Sequence, residues 1–476
     1  QSSMMANAAR DPLWRAVMSA EVATNPGAEG LIEGKCLSCH SAAGYRAAGD
    51  GASVALLSDG TDAGQIARDG VTCTACHQIP AEGLGTPALF SGHWQAPAEP
   101  VAYGPHAQPF ANPMVGSSGF TPVHSEHMSE SVLCSACHVL ETPTVNDQVE
   151  FTGHTLLEQA TFLEWRNSDF ATQDVTCQDC HMPSADADGE PINTRIARRP
   201  NGGDFPPLQP RQPYGRHLLV GGNTLILKVL RDFSGPLAAQ APAAAFDATL
   251  AATRASLAAA SELELGALTD DGDRIALPVT VHNRTGHKLP SGFPSRRLWL
   301  HVTAFDAAGA VLFESGRPDA QGRIHVGDAV ADFERPGGPV QGPWQTIERP
   351  EQVQVWAAQM CTPEGQPTWR LLRGATYCRD NRLLPLGWRA DHPDGPATAP
   401  AGVAADADFQ PGADTVIYRL PAGTVRATAA LYFQPLDARF AAELYALDTP
   451  EIRALRFYLA QVDQTPEVIA RAEARR

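Results

Sequence analysis

Two stretches of the chain alternate apolar and polar positions with a period of two. One is Ile275-Ala276-Leu277-Pro278-Val279-Thr280-Val281, the other Arg297-Leu298-Trp299-Leu300-His301-Val302-Thr303-Ala304-Phe305. That period puts every second side chain on one face of a strand. Residues 324 to 332, 345 to 360, 413 to 420 and 424 to 434 supply further strands, and Thr269 to Asp273 and Ala307-Ala308-Gly309 read as turns. The expectation for 263–435 is an antiparallel β-sandwich. Residues 236–262 are rich in alanine, the strongest helix former, and predict an interdomain helix. Residues 436–476 predict two closing helices with a break near Thr449-Pro450.

The first half follows a different pattern. Residues 5 to 24 read as a helix, broken or restarted at Asp11-Pro12. Residues 80 to 125 and 183 to 215 are rich in Pro and Gly and read as ordered loop. Helical turns are expected at 125 to 140 and 155 to 171, and a short apolar helix or strand pair at 216 to 232. The expected domains are therefore 1–235, 236–262, 263–435 and 436–476, an α+β multidomain chain.

What organises the first domain is a motif repeated four times: Cys36-Leu37-Ser38-Cys39-His40, Cys73-Thr74-Ala75-Cys76-His77, Cys134-Ser135-Ala136-Cys137-His138 and Cys177-Gln178-Asp179-Cys180-His181. Each reads C-x-x-C-H, the attachment signature of a c-type haem. Two thiols three residues apart reach the two vinyl groups on one edge of a porphyrin, and the histidine that follows turns under the ring to the iron. A zinc site would need only the cysteine pairs, and a thioredoxin-type motif only one copy. Neither explains four trailing histidines. The cofactors implied are four covalently bound haems c, with Cys36, Cys39, Cys73, Cys76, Cys134, Cys137, Cys177 and Cys180 as attachment points. His40, His77, His138 and His181 are the proximal iron ligands. The first domain is thus expected to be a mostly helical and loop tetrahaem cytochrome domain.

Eight of ten cysteines are used in this way, leaving Cys361 and Cys378. A disulfide between them is expected, because covalent haem attachment in bacteria takes place outside the cytoplasm, where thiols oxidise. The net charge of −17, to which haem propionates would add, argues against nucleic acid and anionic membrane surfaces. It suits redox partners with a basic face, or simple solubility. No stretch has the length and apolarity of a membrane span. The chain opening at Gln1 reads as a mature form after signal-peptide removal, located in the periplasm or outside the cell. Asp-rich Ser184 to Glu190 and Thr269 to Asp273 lack calcium-ligand spacing and read as solvated turns.

Fifteen histidines minus the four proximal ones leave eleven for the opposite faces of the irons. His127 precedes the third motif by one helical stretch. His217 follows the fourth, beside Gly221-Gly222. His287 lies in a loop pinned by Gly286, Pro290 and Gly292. Each could equally be a surface loop histidine.

Several segments resemble the large multihaem cytochrome c family related to the tetrahaem electron acceptor of hydroxylamine oxidoreductase. They are residues 3–12, Gly70-Val71-Thr72-Cys73, Ser131-Val132-Leu133-Cys134, Glu164-Trp165-Arg166-Asn167-Ser168, 177–183, and Thr285-Gly286-His287-Lys288-Leu289-Pro290-Ser291-Gly292 with the following residues to Arg297. The resemblance implies an electron-transfer cytochrome with His127, His217 and His287 as iron ligands, His287 reaching from the β domain. Relatives often carry Ser-x-His-Ala near the N-terminus, with that His a ligand. Here Ser3-Met4-Met5-Ala6 puts Met5 in the slot. Methionine is a competent axial ligand that raises the potential, although a packed methionine fits the position as well; His93, His124 and His154 are the reserves. Arg296 and Arg297 are candidates for haem propionates, or for a solvated strand face.

These readings favour a relay of electrons between redox proteins. A multihaem enzyme acting on a small nitrogen or sulfur oxyanion is the alternative. A homo-oligomer, or a subunit of a cytochrome filament or larger redox complex, is the third reading.

Overall fold

The structure is a computed structural model that describes residues 2–186, 188–195, 199, 201, 203 and 208–476. It divides into two compact units. One holds the described residues of 1–11, 30–139 and 174–221, including all four C-x-x-C-H motifs. The other holds 12–29, 140–173 and 222–476. The two units interleave along the chain, with residues 12–29, 140–173 and 222–235 in the unit that holds the β-sheets.

In the β unit, strands Thr346–Ile347, Ala413–Pro421, Arg274–Asn283 and Ser261–Leu265 form one sheet in that order, with Thr269–Asp271 also on Arg274–Asn283. A second sheet runs Thr376–Asp380, Val355–Cys361, Arg297–Phe305, Arg426–Gln434 and Glu467–Arg475, with Val311–Ser315 also on Arg297–Phe305. All pairings in these two sheets are antiparallel except that of Thr346–Ile347, which is parallel to Ala413–Pro421. Alternation explains the layers. Ile275, Leu277, Val279 and Val281 face inward with Val416, Tyr418 and Leu420, against Leu298, Leu300, Val302, Ala429 and Leu431 of the other sheet. Burying each such aliphatic side chain is worth about 1.5–3 kcal/mol. Strand Arg297–Phe305 is buried on both faces, because Trp299 packs on the far side with Ile324, Val353 and Val355.

Helix Pro12–Thr24 packs on helix Pro450–Leu459, with Ser19 Oγ 2.7 Å from Thr449 Oγ1. Its buried Glu21 accepts from the backbone N–H groups of Leu371 (2.8 Å) and Leu372 (3.3 Å). Helix Thr224–Asp232 packs on Ala243–Ala259.

The restart expected at Asp11-Pro12 is present: a 3₁₀ turn Ala8–Arg10 is followed by the helix Pro12–Thr24, since proline is accepted in a first turn but interrupts an interior. Three element expectations are corrected. The strand Phe151–Gln159, paired with Leu140–Val145, occupies the start of the stretch where helical turns were expected from 155, and the turns follow at Thr161–Arg166 and Asp169–Thr172. The chain ends in the strand Glu467–Arg475 after its two closing helices, because sheet pairing with Arg426–Gln434 overrides the helix preference of Ala, Glu and Arg. The 80–125 loop contains two short parallel strands, Val101–Gly104 and Thr121–His124. Parts of the expected 183–215 loop, and Ala187 within the Ser184–Glu190 turn, lie outside the described residues.

Candidate haem-binding site

Each motif sits on or at the end of a short helical segment. Cys73–His77 and Cys177–His181 are single helical turns, each capped by the threonine before it. Thr72 accepts from Ala75 N, and Thr176 forms a reciprocal capping box with Asp179. The cap fixes where the helix starts, so the two cysteines fall three residues apart on one face and the histidine follows at the end. Cys36–His40 closes the longer helix Glu29–His40, and Cys134–His138 spans a 3₁₀ turn and the helix Ser135–His138.

Three of the four following histidines share one arrangement. His40 Nδ1 lies 3.4 Å from the Ala8 carbonyl, His77 Nδ1 2.5 Å from that of Tyr103, and His181 Nδ1 2.8 Å from that of Val220. A carbonyl can only accept, so each Nδ1 carries the proton and Nε2 is left with its lone pair. This is how second-shell contacts orient a metal-ligating imidazole. Burial pushes His40 down to about 4, so it stays neutral, as a ligand must.

The motifs are also brought together. Cys137 lies close enough to Cys39, and Cys134 to Cys177, for each thiol to act on its neighbour's ionisation. Cys76 lies near enough to influence both Cys134 and Cys137. Motif three is therefore the hub. Backbone contacts stitch it in place: Gly92 N donates to Ala136 O (2.7 Å), Ser91 N to Val139 O (2.8 Å), and Cys177 N to Ser131 Oγ (2.9 Å). Gly92 has φ +75°, and a Cβ there would stand 3.0 Å from Cys39 Sγ, so only glycine fits this approach.

The candidate second ligands differ among themselves. The His217 ring centre is 6.3 Å from that of His77. The two ring planes lie 28° apart. Burial and the nearby His77 lower the His217 pKa. His127 is buried, with Nε2 2.9 Å from the Ile79 carbonyl and Nδ1 2.7 Å from Ser125 Oγ. Its proton is thus on Nε2, the opposite tautomer to His40, His77 and His181.

His287 belongs to the β unit. Its Nδ1 lies 2.8 Å from the Lys288 carbonyl, which gives it the same tautomer as His40, His77 and His181. Its loop is anchored by residues that sequence reasoning missed. Lys288 is buried and pairs with Asp380 at 2.6 Å; Arg382 pairs with Asp380 at 2.7 Å and with Glu164 at 3.2 Å. Glu164 also accepts from Lys288 N and Ser291 Oγ. Gly286 lies where a Cβ would be 3.0 Å from the Phe170 ring and 3.1 Å from Trp165. Thus the separate segments 164–168 and 285–291 meet.

Met5 sits in a turn whose backbone is fixed: its carbonyl accepts from Val71 N at 3.0 Å, and Gly70 (φ +66°) closes against it. The arginine expectation is corrected for Arg297, which is buried and engaged with Glu334, Gln434 Oε1 (3.0 Å) and Gly322 O (2.8 Å). It shares the strand face of Trp299, away from the interface between the two sheets, and its guanidinium is held by these buried partners. Arg296 donates to Ser291 O at 2.6 Å. Another arginine unrecognised from sequence, Arg46, donates to Ser38, Ala42, Gly92 and Trp94 carbonyls and lies 3.4 Å over the Trp94 ring, beside Cys39 and Cys137.

Cys361 and Cys378 are joined across adjacent strands, with Cα atoms 5.6 Å apart. Among the described residues no helix is long and apolar enough to cross a membrane.

The chain matches no family model and no curated protein. Among solved structures it is similar to a penta-haem cytochrome c552 from Thermochromatium tepidum, with a TM-score of 0.50 and 18% identity over 92% of this chain and 83% of that one. At that identity the likeness is one of fold.

Proposed function

We propose that this chain is a multihaem c-type cytochrome that carries four covalent haems and relays electrons between redox proteins outside the cytoplasm. The observation that carries the reading is the gathering of four C-x-x-C-H motifs in one unit, with the Nδ1 protons of His40, His77 and His181 held by carbonyls. The fold shared with a penta-haem cytochrome supports it.

The residues fit the group. Each cysteine pair would form two thioethers on one porphyrin, and each histidine would give Nε2 to iron. Bound haem supplies one-electron redox chemistry. The protein sets the potentials through ligands, burial and charge. The Tyr103 and Val220 carbonyls strengthen His77 and His181 as donors. The closeness of Cys39 to Cys137 and of Cys134 to Cys177 would put attachment points of different haems side by side, the arrangement that short electron steps need.

His217 is proposed as the partner of His77. His127, His287 and Met5 are proposed for the remaining irons, with His127 giving up its hydrogen bond to Ile79. A thioether ligand would give the Met5 haem the highest potential, making it the electron sink.

Low-temperature electron paramagnetic resonance of the oxidised protein tests this. Four low-spin irons, one of them His/Met, are expected. A persistent high-spin iron reactive toward small ligands would favour the oxyanion-reducing enzyme instead, and fewer than four haems by mass spectrometry would remove the reading.

A further inference from the structure

Far from the haem motifs in sequence, the β unit brings Asp406, Asp408 and Asp414 together. One carboxylate oxygen from each lies within 4.8 Å of the others. Clusters of acidic side chains on a surface carry no meaning by themselves. This one is different because it is inside: Asp414 is fully buried and Asp406 is 6% exposed, while Asp408 is half-buried on the open side.

The hydrogen bonds are one-sided. Asp414 Oδ2 accepts from the indole N–H of Trp356 at 2.6 Å and from the amide of Gln354 at 3.1 Å. Asp408 Oδ2 accepts from the Gln345 amide at 2.7 Å. The other oxygen of each, and both oxygens of Asp406, are buried and meet no donor. Buried carboxylate oxygens are nearly always satisfied, since leaving one unpaired costs its whole desolvation. Here four are left over in one place. No arginine or lysine is among the groups that act on Asp406 or Asp414. The three carboxylates therefore face one another uncompensated.

We propose that Asp406, Asp408 and Asp414 bind one calcium ion, with Gln345, Gln354 and Trp356 orienting the ligands from behind. The donor set is oxygen only, which selects a hard cation over zinc or copper. Calcium–oxygen bonds of about 2.3–2.6 Å can bridge oxygens that lie this far apart. Magnesium keeps several waters and demands near-octahedral geometry, which a largely buried trio serves poorly. The orphaned oxygens supply the ligand lone pairs, and the ion supplies the positive charge that the side chains lack. The site joins the loop before strand Ala413–Pro421 to the core of that sheet.

The test uses the haem-loaded chain. Metal is removed with a chelator, calcium chloride is titrated back, bound metal is measured by plasma mass spectrometry, and unfolding of the β-sheet is followed by circular dichroism. One calcium per chain and a higher melting temperature are expected. Asp406→Asn combined with Asp408→Asn should weaken binding by about tenfold or more, with haem absorption unchanged and the metal-free protein at least as stable as wild type, since repulsion is relieved. Failure of wild type to retain calcium, or an equal calcium response in the variant, overturns the proposal. So does a metal-free protein that gains stability on acidification while ignoring calcium, because the carboxylates would then be sharing protons. Should the double variant not accumulate, the metal content of the wild-type chain decides.

Discussion

The two units reach order by opposite means. The β unit is built on its own side chains: leucines, valines and a tyrosine from two sheets close one continuous interior. In the haem-motif unit, a cluster of Ala42, Ala75, Ile79, Trp94 and Ala136 lies among the attachment sites, and three of its five members are alanine. Small residues let backbones approach, as where Gly44 meets Ala67 and Gly92 meets Cys39, but they bury little apolar area. The difference teaches that one region is specified by periodic hydrophobicity, the other by the motif residues proposed to fix haem.

Removing an attachment site should break the comparison most strongly. Cys73→Ala with Cys76→Ala should leave a chain with three haems, and limited proteolysis should cut within 30–139 while leaving 261–475 intact. Equal resistance of both regions would show that the first also stands on its own side chains.

The β unit should be vulnerable at its buried charges instead. Asp380→Ala strands Lys288 and Arg382 and should cost about 3–5 kcal/mol in urea unfolding. Despite burial, Arg382 and Lys288 hold the Asp380 carboxyl well below the usual range. Its contribution is therefore complete above the unfolded carboxylate pKa of about 3.9 and is lost as pH falls toward the folded value. The urea midpoints of wild type and variant should converge on acidification; a constant gap would contradict this.

Opening the Cys361–Cys378 link, which spans a sequence separation of 17, should cost about 3 kcal/mol. Thiol labelling of unfolded, unreduced protein should find neither cysteine free. The effect should appear in the β-sheet transition and leave the haem spectrum alone.

The smallest structural effect is expected at His217, which is exposed. His217→Ala should shift stability by less than about 1 kcal/mol, yet turn one iron from low to high spin. His287→Ala should change the spin state of a different iron. An unaltered resonance spectrum in either variant removes that histidine from the ligand set.

The sequence by itself determined the four C-x-x-C-H motifs, because the thiol spacing and the adjacent histidine are local and hold in any fold. It also determined the sandwich strands Arg274–Asn283 and Arg297–Phe305, because alternation is written residue by residue. Tertiary structure decided what depends on partners distant in the chain. Glu467–Arg475 is a strand because a sheet edge was available to it. Arg297, adjacent to Arg296 and indistinguishable from it in sequence, turned inward to Glu334. The tautomer of each histidine was set by carbonyls as remote as Val220 from His181. Lys288, Asp380, Arg382 and Glu164 became one neutral buried network only when three segments met. Such contacts leave no periodic trace, since a charge reads as surface until the fold supplies its counter-charge.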